Sequence, residues 1–377
     1  MKRIALLGST GSIGESTLDV VRHLPDECQL TALAARTRWQ EMSEQIREFS
    51  PRRVAMTDPE SRDQLSSHSN GTEVLANPAD LVEADDVDVV VAAITGAAGL
   101  EPGLRALEAG KTVALANKEA LVMAGPIMLE AARKNDCSLL PIDSEHNAIF
   151  QAMQSGGRHE VKRIILTASG GPFANHSKEK LRDVTVEEAL NHPTWDMGPK
   201  ITIDSATMFN KALEILEARW LFGLRPDQID VVVHPQSIVH SIVEYQDGSM
   251  IAQMGVPDMR TPIQYALTFP HRYPGRAKSL NLAETGSLTF REPDVEKFPS
   301  LSLGLRAAEV GGTMGAVLNG ANEVAVDLFL KRKISFVDIF TLVESVMDRH
   351  EPVADPNLDH VLQADRWART EAGCWTS

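Results

Sequence analysis

Arg3-Ile-Ala-Leu-Leu-Gly8-Ser-Thr-Gly11-Ser-Ile-Gly14 begins with an apolar run, passes through a glycine-rich turn and enters an amphipathic segment. A strand that feeds a helix through such a turn brings backbone N–H groups close to a pyrophosphate at the helix N-terminus, so the stretch reads as a dinucleotide-binding start. Its spacing is GxxGxxG, with Gly8 as the tight-turn residue, and the plain alternative is an ordinary Gly-rich turn. The second apolar run ends in Ala34-Ala35-Arg36-Thr37-Arg38. An acidic residue there would hold the ribose 2′-hydroxyl of NAD, whereas Arg36 and Arg38 favour a 2′-phosphate, hence NADPH. The bland reading is that both arginines solvate a loop.

Outward from this stretch, residues 1–150 alternate strands at Arg3–Leu7, Gln29–Ala34, Arg53–Met56, Asp88–Ala93 and Thr112–Leu115 with amphipathic segments. That alternation predicts an α/β, Rossmann-like, doubly wound parallel sheet. Residues 151–270 change character. Ile229–Val233, Ile238–Tyr245 and Met250–Met254 follow one another closely, the last two through Gln246-Asp247-Gly248, which predicts an antiparallel α+β catalytic domain. Residues 271–295 carry Pro274 and Pro293 with little periodicity and read as a linker. Helical spacing over 301–310, 313–331, 335–349 and 358–371 predicts a C-terminal helical domain within 296–377.

Composition narrows the function. The 377 residues carry 37 Lys and Arg against 52 Asp and Glu, a formal charge of −15, which argues against nucleic acid or an anionic membrane as partner. The three cysteines, Cys28, Cys137 and Cys374, form no Cys-x-x-Cys pair, so neither a disulfide framework nor a thiolate zinc site is indicated. No signal-peptide core or membrane span is visible, and a reducing cytoplasm is the expected compartment.

The chemistry-bearing residues lie at segment ends. In Pro141-Ile-Asp143-Ser144-Glu145-His146 an apolar run finishes in two carboxylates; if the strand continues, its period of two sends both to one face at the carboxyl edge, where a hard cation would relieve their repulsion. An ordinary solvated strand exit is the alternative. Lys118, in Ala116-Asn117-Lys118-Glu119, follows another strand and could reach the same place. Residues 204–222 read as one helix with Asp204 or Ser205 near its N-cap, and Asn210, Lys211 and Glu214 fall on one face of it. Taken alone, that Lys and Glu would be a surface pair worth little. Ser169-Gly170-Gly171-Pro172 offers a hydroxyl and free amides suited to phosphate. His192-Pro-Thr-Trp195-Asp-Met197-Gly198-Pro-Lys200 is non-periodic and reads as a lid, while His234 and His240 read as structural or as supports behind a site.

Taken in order, GSTGSIG, LANKEA, PIDSEHNAIFQ, TASGGPF, HPTWDMGPKITIDSATMFNKALE, HPQSIVHS and MGVPDMRTPIQYAL resemble the 1-deoxy-D-xylulose 5-phosphate reductoisomerase family over essentially the whole chain. The resemblance implies an NADPH-dependent homodimer that binds Mg²⁺, Mn²⁺ or Co²⁺ and makes 2-C-methyl-D-erythritol 4-phosphate for isoprenoid synthesis. It implies metal binding by Asp143, Glu145 and Glu214. For substrate it implies Lys118, Ser144, Glu145, Ser169, His192, Trp195, Met197, Ser205, Asn210, Lys211 and Glu214, with Lys118 and the three carboxylates catalytic. Thr10, Gly11, Ser12, Ile13, Asn117, Glu119 and Gly198 match cofactor positions, beside Gly8 and Arg36-Thr37-Arg38. Arg36 and Arg38 stand where many relatives have Gly and Asn; Ala120 and Phe209 are mild departures.

The implied reaction migrates a carbon–carbon bond beside a ketone and then reduces an aldehyde, so oxyanion charge must be held twice. Three carboxylates would leave about three octahedral positions for substrate oxygens, and all-oxygen ligation favours Mg²⁺ or Mn²⁺. Two rival readings share the first motif: an NADP-dependent semialdehyde or hydroxyacid dehydrogenase, and a non-catalytic NADPH-binding sensor. A thioester mechanism would need a nucleophilic cysteine, for which Cys137 is poorly placed; a sensor would need no metal.

Overall fold

The computed structural model describes residues 1–69, 71–195 and 197–375, so Asp196 of the lid stretch lies outside them. By packing, the chain forms two compact units: Met1–Ala120 with Met128–Asn147 and Asp258–Lys278, and Leu121–Ile127 with Ala148–Pro257 and Ser279 onward. This division differs from the four-part reading by composition, since residues 258–270 fall in the first unit and residues 121–127 in the second. The segment read as a linker is shared between the units, and the C-terminal helices form one body with the central sheet instead of a domain of their own.

The first unit is built on seven strands: β1 (Lys2–Leu7), β2 (Cys28–Ala35), β3 (Arg53–Met56), β4 (Glu73–Leu75), β5 (Val89–Ala92), β6 (Thr112–Leu115) and β7 (Leu139–Pro141). They lie in the order β4-β3-β2-β1-β5-β6-β7, and every pair is parallel. Buried on both faces, such strands carry continuous apolar runs; β5, Val-Val-Val-Ala, is buried at all four positions. Strand order reverses beside β1, where doubly wound sheets bind ligands. The glycine turn meets that point: Gly8 has φ +90°, and a Cβ on it would lie 2.5 Å from the Ala93 carbonyl oxygen. A Cβ on Gly14 would lie 2.3 Å from the Gly8 oxygen, so the helix Ser12–His23 can start there only without a side chain. β4, three residues long, left no readable pattern in the sequence.

The second unit carries β8 (Val161–Ala168), β9 (Ile229–Val233), β10 (Val239–Tyr245) and β11 (Met250–Met254) in the order β11-β10-β8-β9. The expectation of an antiparallel sheet is corrected here. β10 pairs antiparallel with β8 and β11, but β8 and β9 run parallel, because the long helical excursion between them returns the chain in the same direction.

That excursion contains the helix Phe209–Phe222, which is buried at ten of its positions. It packs on the helix Ser300–Val310 at close range, since a Cβ on Gly304 would fall 2.7 Å from the Ala212 Cα. The remaining C-terminal helices, Met314–Leu330, Asp338–Arg349 and Leu358–Gly373, follow the predicted ranges closely. Gly304→Val should therefore lower the urea midpoint of the second unit by the equivalent of about 1 to 3 kcal/mol, as overpacking does. An unchanged midpoint would mean that the two helices are not held this close.

Candidate active site

The strand β7 ends at Pro141, and the helix Ser144–Ala152 starts three residues later. The sequence reading that placed Asp143 and Glu145 on one face of a strand is thus corrected: Asp143 precedes the helix and Glu145 lies in its first turn. The backbone turns because Asp143 Oδ1 accepts from the free N–H groups of that turn, Glu145 at 3.1 Å and His146 at 3.4 Å. The same oxygen is 3.0 Å from His146 Nδ1. Since a carboxylate only accepts, Nδ1 carries the proton, and the fully buried imidazole fixes the carboxylate rotamer. The other oxygen, Oδ2, lies 3.1 Å from Lys118 Nζ.

Lys118 is buried at the start of the helix Lys118–Lys134, whose N-cap is Asn117. Asn117 Oδ1 accepts from Ala120 N at 2.6 Å, and its Nδ2 donates to the carbonyls of Ile94 and Gly96. Its side chain is thereby committed to holding the loop after β5 against this helix. Ser144 Oγ donates to Glu145, and Glu119 is half-buried beside the cap. At the glycine turn, Gly11 and Ser12 are exposed, Ile13 is half-buried and Thr10 is buried. Arg36, Thr37 and Arg38 follow β2 and are exposed, and Arg38 donates to the Thr10 carbonyl at 2.8 Å. One of the two expected 2′-phosphate ligands thus also ties its loop to the glycine turn.

In the second unit the expected single helix over 204–222 is corrected. Pro199–Ala206 and Phe209–Phe222 are separate helices, broken at Met208, whose φ is +62°. Asp204 and Ser205 consequently sit in the last turn of the first helix, and the second has no side-chain cap. No glycine or proline marks the break. It is held from outside by Ser300, whose Oγ donates to the Thr207 carbonyl at 2.6 Å.

The break puts Asn210 and Lys211 in the first turn of the buried helix. Lys211 Nζ lies 2.5 Å from Glu214 Oε2, and Asn210 Nδ2 donates to Glu214 Oε1. Lys211 is 3% and Glu214 0% exposed, so the surface-pair reading is excluded. A carboxylate so deeply buried needs compensating partners, and losing one would cost several kcal/mol.

A second cluster lies in the same unit. His192 Nε2 stands 3.2 Å from Ser169 Oγ and 3.0 Å from Ser205 Oγ. Its Nδ1 accepts from the backbone N–H groups of Thr194 and Trp195 at 3.1 and 2.9 Å, so the neutral ring carries its proton on Nε2, toward the serines. Gly171, at φ +64°, brings the Ser169 turn in so closely that a Cβ would meet the Ser205 carbonyl at 2.7 Å. Trp195 and Met197 are half-buried in the irregular stretch before the helix, and Gly198 is that helix's exposed N-cap. His234 is structural as expected: buried, it contacts Thr289 O through Nδ1 and accepts from Ile238 and Val239 N through Nε2.

Sequence reasoning missed His146, which was legible as Asp-x-x-His at a helix start, and it placed Asp204 near a helix N-cap because the break at Met208 is unmarked.

Family models match most of the chain. Models of the 1-deoxy-D-xylulose 5-phosphate reductoisomerase match residues 4–125, of its C-terminal domain residues 139–222, and of a DXP reductoisomerase C-terminal domain residues 254–371. The reductoisomerase of Pelotomaculum thermopropionicum is 52% identical, covering 98% of this chain and 97% of its own. The chain belongs to the 1-deoxy-D-xylulose 5-phosphate reductoisomerase family. The reductoisomerase of Heliobacterium modesticaldum is 51% identical over 98% of this chain and 96% of its own. A crystal structure of DOX-P reductoisomerase in complex with NADPH, fosmidomycin and magnesium superposes with a TM-score of 0.94 at 42% identity, covering 99% of this chain and 98% of that one. The Zymomonas mobilis reductoisomerase with NADPH gives 0.93 at 43%, covering 98% of each. A dehydrogenase sharing only the first sheet would not account for the matches beyond it.

Burial holds the His192 imidazolium below its ordinary pKa of about 6.5. A folded-state pKa below the unfolded one means stability that is complete above about pH 6.5 and falls as pH drops from there through the folded value. Unfolding free energy followed by urea titration between pH 7.5 and 5 (roughly the range in which His titrates) should show this loss, and His192→Gln should remove it. An identical pH slope in the variant would place the titration elsewhere.

Proposed function

We propose that Asp143, Glu145 and Glu214 are the residues that bind a divalent ion, and that Ser169, His192, Ser205, Asn210 and Lys211 take the substrate phosphate. The protein is an NADPH- and metal-dependent reductoisomerase that converts 1-deoxy-D-xylulose 5-phosphate to 2-C-methyl-D-erythritol 4-phosphate. The observation that carries the site assignment is the cluster of buried Lys211 and Glu214 with half-buried Asn210, which places two donors and a carboxylate where the fold gains nothing from polarity.

The donor set fits the cofactors. Carboxylate oxygens suit Mg²⁺, Mn²⁺ or Co²⁺, and magnesium is present in the solved relative. The Gly8–Gly14 turn with Arg36, Thr37 and Arg38 suits NADPH, with Thr10, Gly11, Ser12, Ile13, Asn117, Glu119 and Gly198 as further contacts. When bound, the ion supplies charge stabilisation at the substrate's oxygens and the nicotinamide supplies a hydride. The protein's own part is positioning. His146 holds Asp143 in one rotamer, so its ligating oxygen needs no reorganisation. Lys118 presents a cation beside that carboxylate, placed to hold charge or a proton during rearrangement. Ser169, Ser205 and Lys211 anchor the phosphate and convert remote binding energy into orientation of the reacting carbons. Ser144 orders Glu145, and Trp195 and Met197 would cover the substrate carbons and exclude water.

Homodimerisation is part of the same proposal. β11 is the edge of its sheet, and Met250, Ile251 and Met254 on it are 52%, 36% and 37% exposed. An exposed apolar edge strand is a template for pairing, and a two-fold axis would set β11 against its copy. Sedimentation should report a dimer that Ile251→Lys with Met254→Lys converts to monomer; an unchanged dimer moves the interface elsewhere. The described residues include no helix long and apolar enough to cross a membrane, and the cytoplasm is the proposed compartment.

NADPH absorbance should fall with 1-deoxy-D-xylulose 5-phosphate and magnesium, and chelator should abolish the change; chelator-insensitive turnover would contradict the metal. Lys211→Ala should weaken apparent substrate affinity by about 1.5 to 3 kcal/mol, as for a charge-assisted hydrogen bond. An unchanged KM would move the phosphate away from this lysine.

A further inference from the structure

Three contacts from the C-terminal helical segment, two to backbone carbonyls and one to a carboxylate, fall on groups that flank the residues assigned above to phosphate. The buried Lys297 donates from Nζ to the Ala174 carbonyl at 3.0 Å, at the far end of the turn that begins with Ser169. Ser300, fully buried, holds the Thr207 carbonyl between Ser205 and Asn210. Asn322, also fully buried, donates from Nδ2 to Asp204 Oδ1 at 2.9 Å, and Asp204 Oδ2 takes Lys200, the last residue of the lid stretch.

Each contact satisfies a group that local structure leaves open. Thr207 O loses its helical partner where Met208 turns left-handed. Ala174 O belongs to an irregular turn, and Asp204 is a carboxylate at 1% exposure. Together they brace the Ser169 turn, the Ser205 turn and the start of the Phe209–Phe222 helix from one side. Phosphate recognition needs donors fixed to within about 0.5 Å, and the segments bearing them are short or irregular.

We propose that Lys297, Ser300 and Asn322 are positioning residues for phosphate recognition, acting through Ala174, Thr207 and Asp204. The proposal rests on the phosphate assignment made above. It makes the C-terminal helices part of the substrate site's specificity without their touching substrate.

The test uses Lys297→Met, Ser300→Ala and Asn322→Ala in the full chain with magnesium and NADPH. Four readouts are taken: KM for the sugar phosphate, Ki for inorganic phosphate as competitor, kcat/KM for the sugar lacking phosphate, and Kd for NADPH. Expected are parallel increases of roughly ten- to a hundredfold in KM and phosphate Ki. The unphosphorylated sugar and NADPH should be handled as by the unaltered protein, and Lys297→Arg should restore KM. If Asn322→Ala does not fold, the other two carry the test. Unchanged KM and Ki in folded variants, or equal impairment toward both sugars, overturn the bracing role. Failure of phosphate to compete even in the unaltered protein overturns the phosphate assignment, and this proposal with it.

Discussion

A carboxylate at zero exposure, Glu214, sits inside a helix that is buried at ten of its positions. Burying that charge is unfavourable by several kcal/mol unless partners meet it, and the same helix provides them, Lys211 one turn back and Asn210 beside it. The helix that starts at Phe209 carries both donors in its first turn, and the break at Met208 before it frees the Thr207 carbonyl, which Ser300 meets. Gly304 packs against Ala212 of the Phe209–Phe222 helix at a distance that leaves no room for a Cβ.

The first unit solves a different problem. The residues proposed above for cofactor, metal and substrate in this unit follow the carboxyl ends of β1, β2, β6 and β7. Asp143 shows how economical the result is. One of its oxygens starts a helix and is fixed by His146, while the other faces Lys118. Structural and chemical roles are divided between two atoms of one side chain.

Much of this could be read from sequence. The glycine turn, the strand–helix alternation and the C-terminal helices were legible because periodicity and Gly placement act locally. The helix-face grouping of Asn210, Lys211 and Glu214 was legible for the same reason, but its burial was not, since Lys and Glu at that spacing are usually solvated. The strand reading of Asp143 and Glu145 failed because an Asp that caps a helix and an Asp that ends a strand look alike within a short window. The break at Met208 was invisible: what stabilises it is Ser300, nearly a hundred residues away. β11 reads as an ordinary hairpin strand, and only the sheet order reveals that it lies at an edge.

We propose that acids far apart in the chain share one cation. Manganese binding followed by electron paramagnetic resonance tests it most directly, on the intact protein and on Asp143→Asn and Glu214→Gln. One tight ion per chain is predicted, with affinity reduced at least about tenfold by either substitution while NADPH binding persists. Manganese bound as tightly by Glu214→Gln as by the unaltered protein, with Asp143→Asn alone defective, would contradict the shared site.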